Sequence, residues 1–282
     1  MPKHVEMTQH LEVVGEALAP PVWAALRNEA EHVAKEEPSL ASLLNAVILR
    51  HRDLADAMSY QLARKLADQE LRAMSLREVA QEVYAADPAI IAQAEADLRA
   101  VFERDPACKG YVQPFLYFKG FLALQTHRIA HALWRDGREA MAFYLQSRMS
   151  ELFQVDIHPA AVIGAGAFLD HGTGIVIGET AVVGDDVSML HEVTLGGTGA
   201  GRGERHPKIG SGVLLGAGAK VLGNITVGDF AKIASGSVVL KSVPAHCTAA
   251  GVPARLVNCP TCEEPAKSMD HTLADDVYDY VI

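Results

Sequence analysis

The chain has few cysteines, few aromatic residues and no long apolar run. The cysteine count and the lack of a long apolar run each exclude a class of protein. Of its 282 residues, four are cysteine and 6% are aromatic. No apolar stretch approaches the roughly 20 residues that a membrane-spanning helix needs. The N-terminus carries charged and polar residues through His10 and lacks the apolar region of a signal peptide, so we expect no membrane segment and no export. A net charge of −10 argues against nucleic acid and anionic membranes as partners.

The cysteines are too few and too scattered for a disulfide framework. They are Cys108, Cys247, Cys259 and Cys262. The last two have the spacing of half a zinc knuckle, but no second pair completes it, so we expect no metal. A chain with neither a disulfide framework nor an export signal fits a reducing cytoplasm.

Between Ile157 and Val239, by contrast, an aliphatic residue recurs at every sixth position and is often followed by glycine. A short fixed period is typical of a solenoid, in which each repeat buries its apolar face against its neighbours. Six residues suit one short strand and one turn, and three such units close one triangular coil of a parallel β-helix. The recurring positions are Ile157, Ile163, Leu169, Ile177, Val183, Met189, Leu195, Ile209, Leu215, Val221, Val227, Ile233 and Val239.

Two breaks interrupt this period and predict where the chemistry lies. Eight residues separate Leu169 from Ile177, and fourteen separate Leu195 from Ile209. An insertion has to leave the coil, and loops on a rigid scaffold are where binding residues tend to lie. Both insertions, within residues 170–174 and 196–207, carry a histidine beside a charged residue.

The N-terminal half has the apolar spacing of helices, at residues 20–36, 40–54, 54–74 and 76–86. A last helical pair, 115–136 and 139–153, is broken at Gly137. Glycine and valine then become frequent, and the period ends after Val257.

These changes along the chain predict an α+β protein of three parts. They are an α-helical oligomerisation domain over residues 1–154, a parallel β-helix catalytic domain over 155–257, and a flexible tail over 258–282. We expect the helices to cover the open first edge of the coil, because exposed strand edges invite aggregation.

His171 in the first break is a candidate general base for a hydroxyl nucleophile. Such a base needs a carboxylate on its second ring nitrogen. Asp170 is adjacent, and neighbours on an extended strand point to opposite faces, so we expect it to be a poor partner for His171. Asp156 lies a little under one eighteen-residue coil away and could stack beside the histidine; a solvated surface aspartate is the alternative.

The second break ends in a basic loop that suits an anionic substrate group. Arg205 could grip a carboxylate through its bidentate fork, and His206 could add a hydrogen bond. The alternative is a solvated loop. Basic residues on later coils could meet phosphates, although each alone is more often a surface charge. They are Lys220, Lys232, Lys241 and Arg255.

Taken together, these segments resemble serine acetyltransferase, a member of the hexapeptide-repeat acyltransferase superfamily. The matching segments are 104–107 (RDPA), 118–121 (FKGF), 156–161 (DIHPAA), 169–181 (LDHGTGIVIGETA), 193–199 (VTLGGTG), 205–209 (RHPKI), 216–220 (GAGAK) and 249–255 (AAGVPAR). The six-residue period alone indicates only the superfamily, whereas the two histidine-containing breaks and the RDPA segment are specific to this family. Gly172 stands where the family usually has alanine, and Glu204 where aspartate is common.

The resemblance implies a role for each matching residue. His171 is the general base and Asp156 its orienting partner. Asp105 and Asp170 would meet the ammonium group of L-serine, while Arg205 and His206 would hold its carboxylate. The implied contacts with the co-substrate acetyl-CoA are Gly197, Thr198, Ala217 and Lys232. Glu179 matches a family position near the active site, and its role stays open.

The resemblance also implies a left-handed coil, acetyl-CoA in a groove between subunits, and a homotrimer or a dimer of trimers. It implies that L-cysteine inhibits at the serine pocket. The chain ends at Ile282, and such a terminus in this family enters O-acetylserine sulfhydrylase, an interaction that suits a pocket built for a carboxylate.

Three other functions remain open from the sequence alone. One is acetylation of a different hydroxyl, such as that of a sugar, although a sugar offers Arg205 no carboxylate. A second is a zinc hydratase on the same type of coil, which would need three converging histidines. A third is a scaffold without catalysis. The candidate zinc ligands are His158, His171, His191 and His206.

Overall fold

The computed structural model describes residues 21–199, 201–259 and 263–273, and helices fill its N-terminal half. Their apolar faces, spaced by three and four residues, pack into one core that continues into the coil. The helices are α1 (Val22–Glu36), α2 (Ala41–Leu44), α3 (Leu54–Leu66), α4 (Ala73–Ala86), α5 (Ala89–Arg104), α6 (Val112–Tyr117), α7 (Lys119–Arg135) and α8 (Glu139–Phe153).

Two of the predicted helices have different bounds in the structure. The segment predicted as one helix over 40–54 is a short 3₁₀ turn, the single-turn helix α2 and a π turn over Asn45–Leu49. The predicted helix 54–74 ends at Leu66, because the Asp68 carboxylate accepts hydrogen bonds from the backbone of Glu70 and Leu71 and turns the chain. The predicted break at Gly137 is confirmed between α7 and α8.

After α8 the chain winds into a parallel coil whose short strands form three sheets. The first sheet has the order β1-β4-β7-β10-β13, the second β11-β8-β5-β2, and the third β15-β14-β12-β9-β6-β3. The strands are β1 (Val155–Ile157), β2 (Val162–Ile163), β3 (Phe168–Leu169), β4 (Ile175–Ile177), β5 (Val182–Val183), β6 (Ser188–Met189), β7 (Thr194–Gly196), β8 (Lys208–Ile209), β9 (Leu214–Leu215), β10 (Lys220–Leu222), β11 (Thr226–Val227), β12 (Lys232–Ile233), β13 (Val238–Val239), β14 (Thr248–Gly251) and β15 (Ala254–Asn258).

The six-residue period of the sequence is the interior of this coil. Every recurring aliphatic residue is buried, and each pairs in register with the equivalent residue of the next coil, as Ile157 does with Ile177 and Ile163 with Val183. The predicted β-helix is confirmed, and its hand is left-handed. Each side chain stacks on its counterpart, so one repeat cannot bury its apolar face without the next.

Helices α7 and α8 pack against β1 and β3, so they cover the first edge of the coil as predicted. Gly120 in α7 allows this close approach, since a Cβ there would lie 2.0 Å from the carbonyl oxygen of Leu169. The buried Arg128 guanidinium bridges the two halves by donating to the Asp97 carboxylate at 2.9 Å and to the Gly164 carbonyl at 2.8 Å. Loss of either charged partner would leave the other charge buried and unpaired, which typically costs about 3–5 kcal/mol.

The coil ends in an antiparallel pair, β14 and β15, joined at its base by a disulfide between Cys247 and Cys259. This bond corrects the expectation that the cysteines are too scattered to form disulfides: twelve residues separate the two cysteines, and the hairpin brings them together. Cys108 is a buried free thiol, and Cys262 lies outside the described residues.

Part of the segment predicted as a flexible tail lies against the third sheet. A short helix, α9 (Pro265–Ser268), receives a 2.8 Å hydrogen bond from the Ser188 hydroxyl to the Ala266 carbonyl. The Lys232 ammonium donates to the Thr272 carbonyl at 2.6 Å. Residues 263–273 are therefore held by polar side chains of the coil, whereas Ile282 lies outside the described part of the chain. Within that part, no helix is long and apolar enough to cross a bilayer.

Candidate active site

Most of the predicted site residues fall on two corners of the coil. The His171 corner is where the chain passes from the third sheet to the first, at residues 170–174, 190–193, 216–219 and 234–237. The Arg205 corner is where it passes from the first sheet to the second, at residues 158–161, 178–181, 197–207 and 223–225. Backbone hydrogen bonds stack the turns of each corner on one another.

His171 projects from its corner into the open, with 73% of its side chain exposed. Its φ is +58°, a left-handed conformation that costs a residue other than glycine about 1–3 kcal/mol. The same conformation recurs at turns of other coils, for example at Asp186, Phe230 and His246. The strain therefore belongs to the corner geometry of this coil rather than to the chemistry of His171.

The turn brings Asp170 and His171 together, with 3.7 Å between the carboxylate Oδ1 and Nε2. The expectation that these neighbours point to opposite faces is wrong, because it holds for an extended strand and residue 171 is in a left-handed turn. A second imidazole, that of His191 on the next coil, meets the His171 ring edge to face at 5.9 Å between centroids.

The two carboxylates that were assigned to a substrate ammonium lie near each other at this corner. Burial raises the pKa of Asp170, and the neighbouring Asp105 raises it further, while His171 opposes both effects. Asp105 follows α5, and its Oδ1 accepts a 2.8 Å hydrogen bond from the Ala107 backbone. A cationic group placed between the carboxylates would relieve their mutual repulsion.

The Arg205 corner holds a side-chain network built around Thr180. The Thr180 hydroxyl accepts from the backbone N–H groups of Arg205 and His206, each at 3.1 Å, and lies 2.9 Å from His206 Nδ1. The Arg205 guanidinium donates to the Glu179 carboxylate at 2.5 Å. The pKa of Glu179 is lowered chiefly by this hydrogen bond. The network fixes the direction of both basic side chains.

His206 is a nearly buried imidazole held as a donor at one nitrogen. Its Nδ1 accepts from the Thr180 backbone N–H at 3.1 Å, so the proton resides on Nε2. Burial lowers the pKa of His206, and the positive charge of Arg205 lowers it further. Gly178 makes room for the ring, since a Cβ there would lie 2.1 Å from Nε2. The arrangement presents a neutral N–H beside a guanidinium.

Asp156 lies on the outer face of the first sheet, between the two buried residues of β1. Its Oδ1 accepts a 2.7 Å hydrogen bond from the Gln146 side chain of α8. Among the described residues, no hydrogen bond joins Asp156 to His171. Burial lowers the pKa of His158 on the Arg205 corner, and the nearby Asp156 carboxylate partly opposes this effect. One chain therefore places Asp156 with the Arg205 corner rather than with the base.

The residues assigned to acetyl-CoA are spread over three places. Gly197 and Thr198 are exposed in the loop that follows β7, next to an open groove of about 440 Å³. Ala217 lies on the His171 corner, where its carbonyl accepts from Gly236. Lys232 lies in the third sheet, nearly buried and bonded to Thr272, so the structure does not bring it to the loop. The groove is lined by Glu179, Gly199, Gly201, Arg202, Gly203 and Arg205.

Three side chains at or near these corners were given no catalytic or binding role from the sequence. Thr180 and Gln146 carry no sequence signal that separates them from ordinary surface residues. His191 was considered only as a zinc ligand, although its position one coil beyond His171 follows from the period. Within the ranges that the structure describes, no three histidine, cysteine or acidic side chains converge in a way that could hold a metal ion.

Family models match a segment in each half of the chain. Residues 22–126 match the family model described as serine acetyltransferase, N-terminal, and residues 206–241 match the bacterial transferase hexapeptide repeats. The serine acetyltransferase of Salmonella typhimurium is 57% identical over 249 residues, which are 88% of this chain and 91% of the relative. That of Haemophilus influenzae is 53% identical over 249 residues, covering 88% of this chain and 93% of the relative.

Solved structures agree with the sequence relatives. A serine acetyltransferase of Vibrio cholerae is 55% identical and superposes with a TM-score of 0.88, covering 89% of this chain and 97% of its own. A serine acetyltransferase in complex with cysteine is 52% identical with a TM-score of 0.88, covering 90% and 98%. A Brucella abortus enzyme of the same name in complex with coenzyme A is 52% identical with a TM-score of 0.84, covering 86% and 96%.

Proposed function

The chain belongs to the serine acetyltransferase family, and we propose that His171 is the general base with which it acetylates the hydroxyl of L-serine. Acetyl-CoA is the acetyl donor, and the products are O-acetyl-L-serine and CoA, the first step of cysteine biosynthesis. The observation that carries the assignment of the base is the exposed imidazole of His171, set beside Asp170 on a rigid corner.

The proposed chemistry is direct transfer. His171 accepts the proton of the serine hydroxyl as the oxygen attacks the thioester carbonyl carbon. The tetrahedral intermediate then collapses, the carbon–sulfur bond breaks, and the imidazolium returns the proton to the departing CoA sulfur. Asp156 stabilises that imidazolium and fixes the tautomer of the base.

Recognition of serine follows from the charges on the two corners. Arg205 is held in a fixed direction by Glu179 and would grip the serine carboxylate through its fork, with His206 Nε2–H as a second donor. Asp105 and Asp170 would receive the ammonium group, whose positive charge offsets the burial and the repulsion by Asp105 that raise the pKa of Asp170. L-cysteine has the same carboxylate and ammonium group, so we propose that it inhibits by occupying this pocket; a relative has been solved with cysteine.

We infer that one chain does not complete this site. Strand β4 (Ile175–Ile177) and the turns on either side of it separate the two corners, and its three extended residues alone span about 10 Å at about 3.3 Å each, more than the length of a serine molecule. We therefore propose that the His171 corner of one copy faces the Arg205 corner of a second copy, which also supplies Asp156. A head-to-tail contact of this kind closes into a ring, so a homotrimer or a dimer of trimers is the expected assembly.

The same arrangement suggests where acetyl-CoA lies. Gly197 and Thr198 from the loop of one copy would face Ala217 on the His171 corner of the other, which forms a groove between coils. Lys232 would reach a phosphate only if residues 263–273 left the third sheet, because its ammonium is bonded there to Thr272.

Further proposals concern regions outside the site. The helical part, residues 1–154, would assemble subunits, residues 155–257 would carry catalysis, and residues 258–282 would form the tail. We propose that Ile282 binds O-acetylserine sulfhydrylase and that the reaction takes place in the cytoplasm. Calorimetry with the sulfhydrylase should show binding to the intact chain and none after deletion of Ile282, with acetyltransferase turnover unchanged.

The experiment that tests the function follows thiol release from acetyl-CoA in the presence of L-serine, L-threonine, a sugar such as galactose, or no acceptor. We expect rapid release with L-serine alone among the acceptors, since only the amino acids offer a carboxylate and an ammonium, and threonine adds a methyl group beside the hydroxyl. Equal release with the sugar would contradict the assignment of Arg205 and the paired aspartates.

A further inference from the structure

The Cys247–Cys259 disulfide joins two sulfur atoms that differ in their access to solvent. Cys247 is 6% exposed, whereas Cys259 lies on the surface. Disulfides are rare in the reducing cytoplasm proposed for this chain, and those that form there usually act in catalysis or redox sensing. An attacking thiolate needs access to a sulfur, and exposed disulfides are the labile ones. The position of Cys259 therefore suits thiol exchange.

The disulfide closes the open end of the terminal hairpin. Cys247 directly precedes β14, and Cys259 directly follows β15. Strand β15 is the edge strand of the third sheet and is hydrogen-bonded to β14, and their register is already irregular between Thr248 and Ala249. The ends of an edge strand open at little cost in free energy. The covalent bond therefore fixes the last residues of β15 in place.

The same hairpin supports the end of the described tail. Leu273 packs on an apolar patch made by Ala234, Ala250 and Val257, of which Val257 belongs to β15 and lies two residues before Cys259. Directly before Leu273, the Thr272 carbonyl accepts a 2.6 Å hydrogen bond from the Lys232 ammonium. The position of β15 thus affects the contact between the tail and Lys232.

We propose that Cys247–Cys259 is a thiol-exchange site for small thiols, and that its redox state controls whether Thr272 stays bonded to Lys232. When the bond is reduced, the end of β15 loosens and Leu273 loses part of its apolar patch. Thr272 then leaves Lys232, whose ammonium turns to a phosphate of acetyl-CoA; this step rests on the proposed contact of Lys232 with the co-substrate.

The exchange balances with small thiols as the only co-reactant. A thiolate attacks Cys259 Sγ, the disulfide breaks, and the electron pair leaves on Cys247 Sγ, which takes a proton. A second thiolate attacks the small-molecule sulfur of the mixed disulfide, and Cys259 leaves and is protonated. Two small thiols become one small disulfide, and the protein gains two thiols. In the reverse reaction a small disulfide is the oxidant.

The exchange site can be tested without any measurement of activity. The full chain is treated with oxidised glutathione or with dithiothreitol, and its thiols are titrated after denaturation. We expect two more thiols per chain in the reduced form. A brief treatment with reduced glutathione, followed by mass spectrometry, should place the adduct on Cys259. An equal thiol count in both forms, or an adduct confined to Cys247, would overturn the proposal.

The control of co-substrate binding is tested with acetyl-CoA and L-serine. Loss of the thioester absorbance is followed, because added thiols interfere with detection of released CoA. Reduction should lower the acetyl-CoA KM by about 5–10-fold, as one hydrogen bond to a charged group would give, with kcat within about twofold. The same acetyl-CoA KM in both redox states would overturn the proposed control.

Cysteine variants show which thiols are responsible. Cys259→Ser, at an exposed position, should have the low acetyl-CoA KM in both redox states, and Cys247→Ser should behave in the same way. Cys108→Ser, which removes a buried free thiol, and Cys262→Ser are the matched controls and should respond to reduction like the unmodified protein. A Cys262→Ser variant that no longer responds would overturn the pairing of Cys247 with Cys259.

Leu273→Ala separates the tail from the cysteines. It should keep the difference of two thiols between the redox states and yet show the low acetyl-CoA KM in both. A full response of KM to reduction in this variant would show that the tail does not transmit the change. A protein that is inactive in both redox states would contradict the proposed acetyl transfer, whereas the thiol count and the adduct position test the exchange site independently of it.

Discussion

The two corners of the coil that carry the site are built in opposite ways. At the Arg205 corner, the Thr180 hydroxyl, the Glu179 carboxylate and His206 Nδ1 each have a partner, which gives Arg205 and His206 a fixed direction. At the His171 corner, the imidazole stands largely exposed, and the Asp170 carboxylate lies 3.7 Å from its Nε2.

This difference indicates a division of labour between the corners. A group that recognises a fixed charge gains from being preorganised before the ligand arrives. A base that must accept and return a proton needs an accessible nitrogen, and its final orientation can come from a group on another copy. The Arg205 corner thus suits recognition, and the His171 corner suits proton transfer.

The largest expected effect on turnover comes from removing the proposed base. His171→Ala should lower kcat by about 10²–10⁴, the usual contribution of a positioned general base, with little change in the serine KM. Asp156→Asn should cost at most as much, because it acts through the histidine. Steady-state kinetics of thiol release measure both, and near-normal turnover in the alanine variant would remove His171 from the mechanism.

At the other corner, Arg205→Ala should act on serine binding. Loss of a charged hydrogen-bonding pair to the carboxylate should raise the serine KM by about 10–100-fold while the acetyl-CoA KM stays nearly unchanged. Arg99→Ala is a suitable control, since Arg99 pairs with Glu95 on the surface of helix α5. If both KM values rose equally, Arg205 would not be a serine-specific contact.

A smaller change loosens the Arg205 corner without touching its charges. Thr180→Val removes the hydroxyl that joins Arg205 to His206, so we expect the serine KM to rise about 3–10-fold, as one or two hydrogen bonds would give. Thr180→Ser retains the hydroxyl and should retain the affinity. A valine variant with unchanged serine KM would show that Arg205 does not depend on this network.

The smallest expected effect is on stability in acid. The pKa of His206 is lowered in the folded protein by burial, so the unfolded chain binds its proton at a higher pH. The contribution of this group to stability is therefore present above its unfolded pKa and is lost as pH falls from about 6.5 toward the folded value. Urea unfolding of the original protein and of His206→Gln between pH 7.5 and 5 should show a shallower acid loss in the variant. Parallel curves would contradict the argument.

The coil was predictable from sequence because its period is local. Each residue from Ile157 to Val239 in the six-residue register meets the equivalent residue one coil away, so a single repeat determines the burial of all of them. The bounds of the first helices were less predictable, since the Asp68 carboxylate ended a helix that the apolar spacing would have continued. The Cys247–Cys259 bond could not be predicted, because it depends on a hairpin for which the sequence shows no local pattern.

The site was predictable residue by residue but not as an arrangement. The breaks in the period located His171 and Arg205. The breaks alone do not show that these two residues lie on different corners of the coil. Thr180 was missed because its contacts are with neighbours on another coil. The placement of Asp156 against Gln146 depends on how α8 packs on β1, which the sequence does not reveal.

The central claim, that one site is made from two different corners of two copies, can be tested by mixing inactive subunits. His171→Ala and Arg205→Ala chains are assayed separately, and then after coexpression in equal amounts. In a randomly mixed ring, a site with both side chains forms wherever an Arg205→Ala copy gives its His171 to a neighbouring His171→Ala copy, which is about one quarter of the sites. We predict that the mixture, at a serine concentration limiting for the Arg205 variant, recovers about one quarter of the unmodified activity, whereas activity no higher than the mean of the two separate variants would show that each chain builds its site alone.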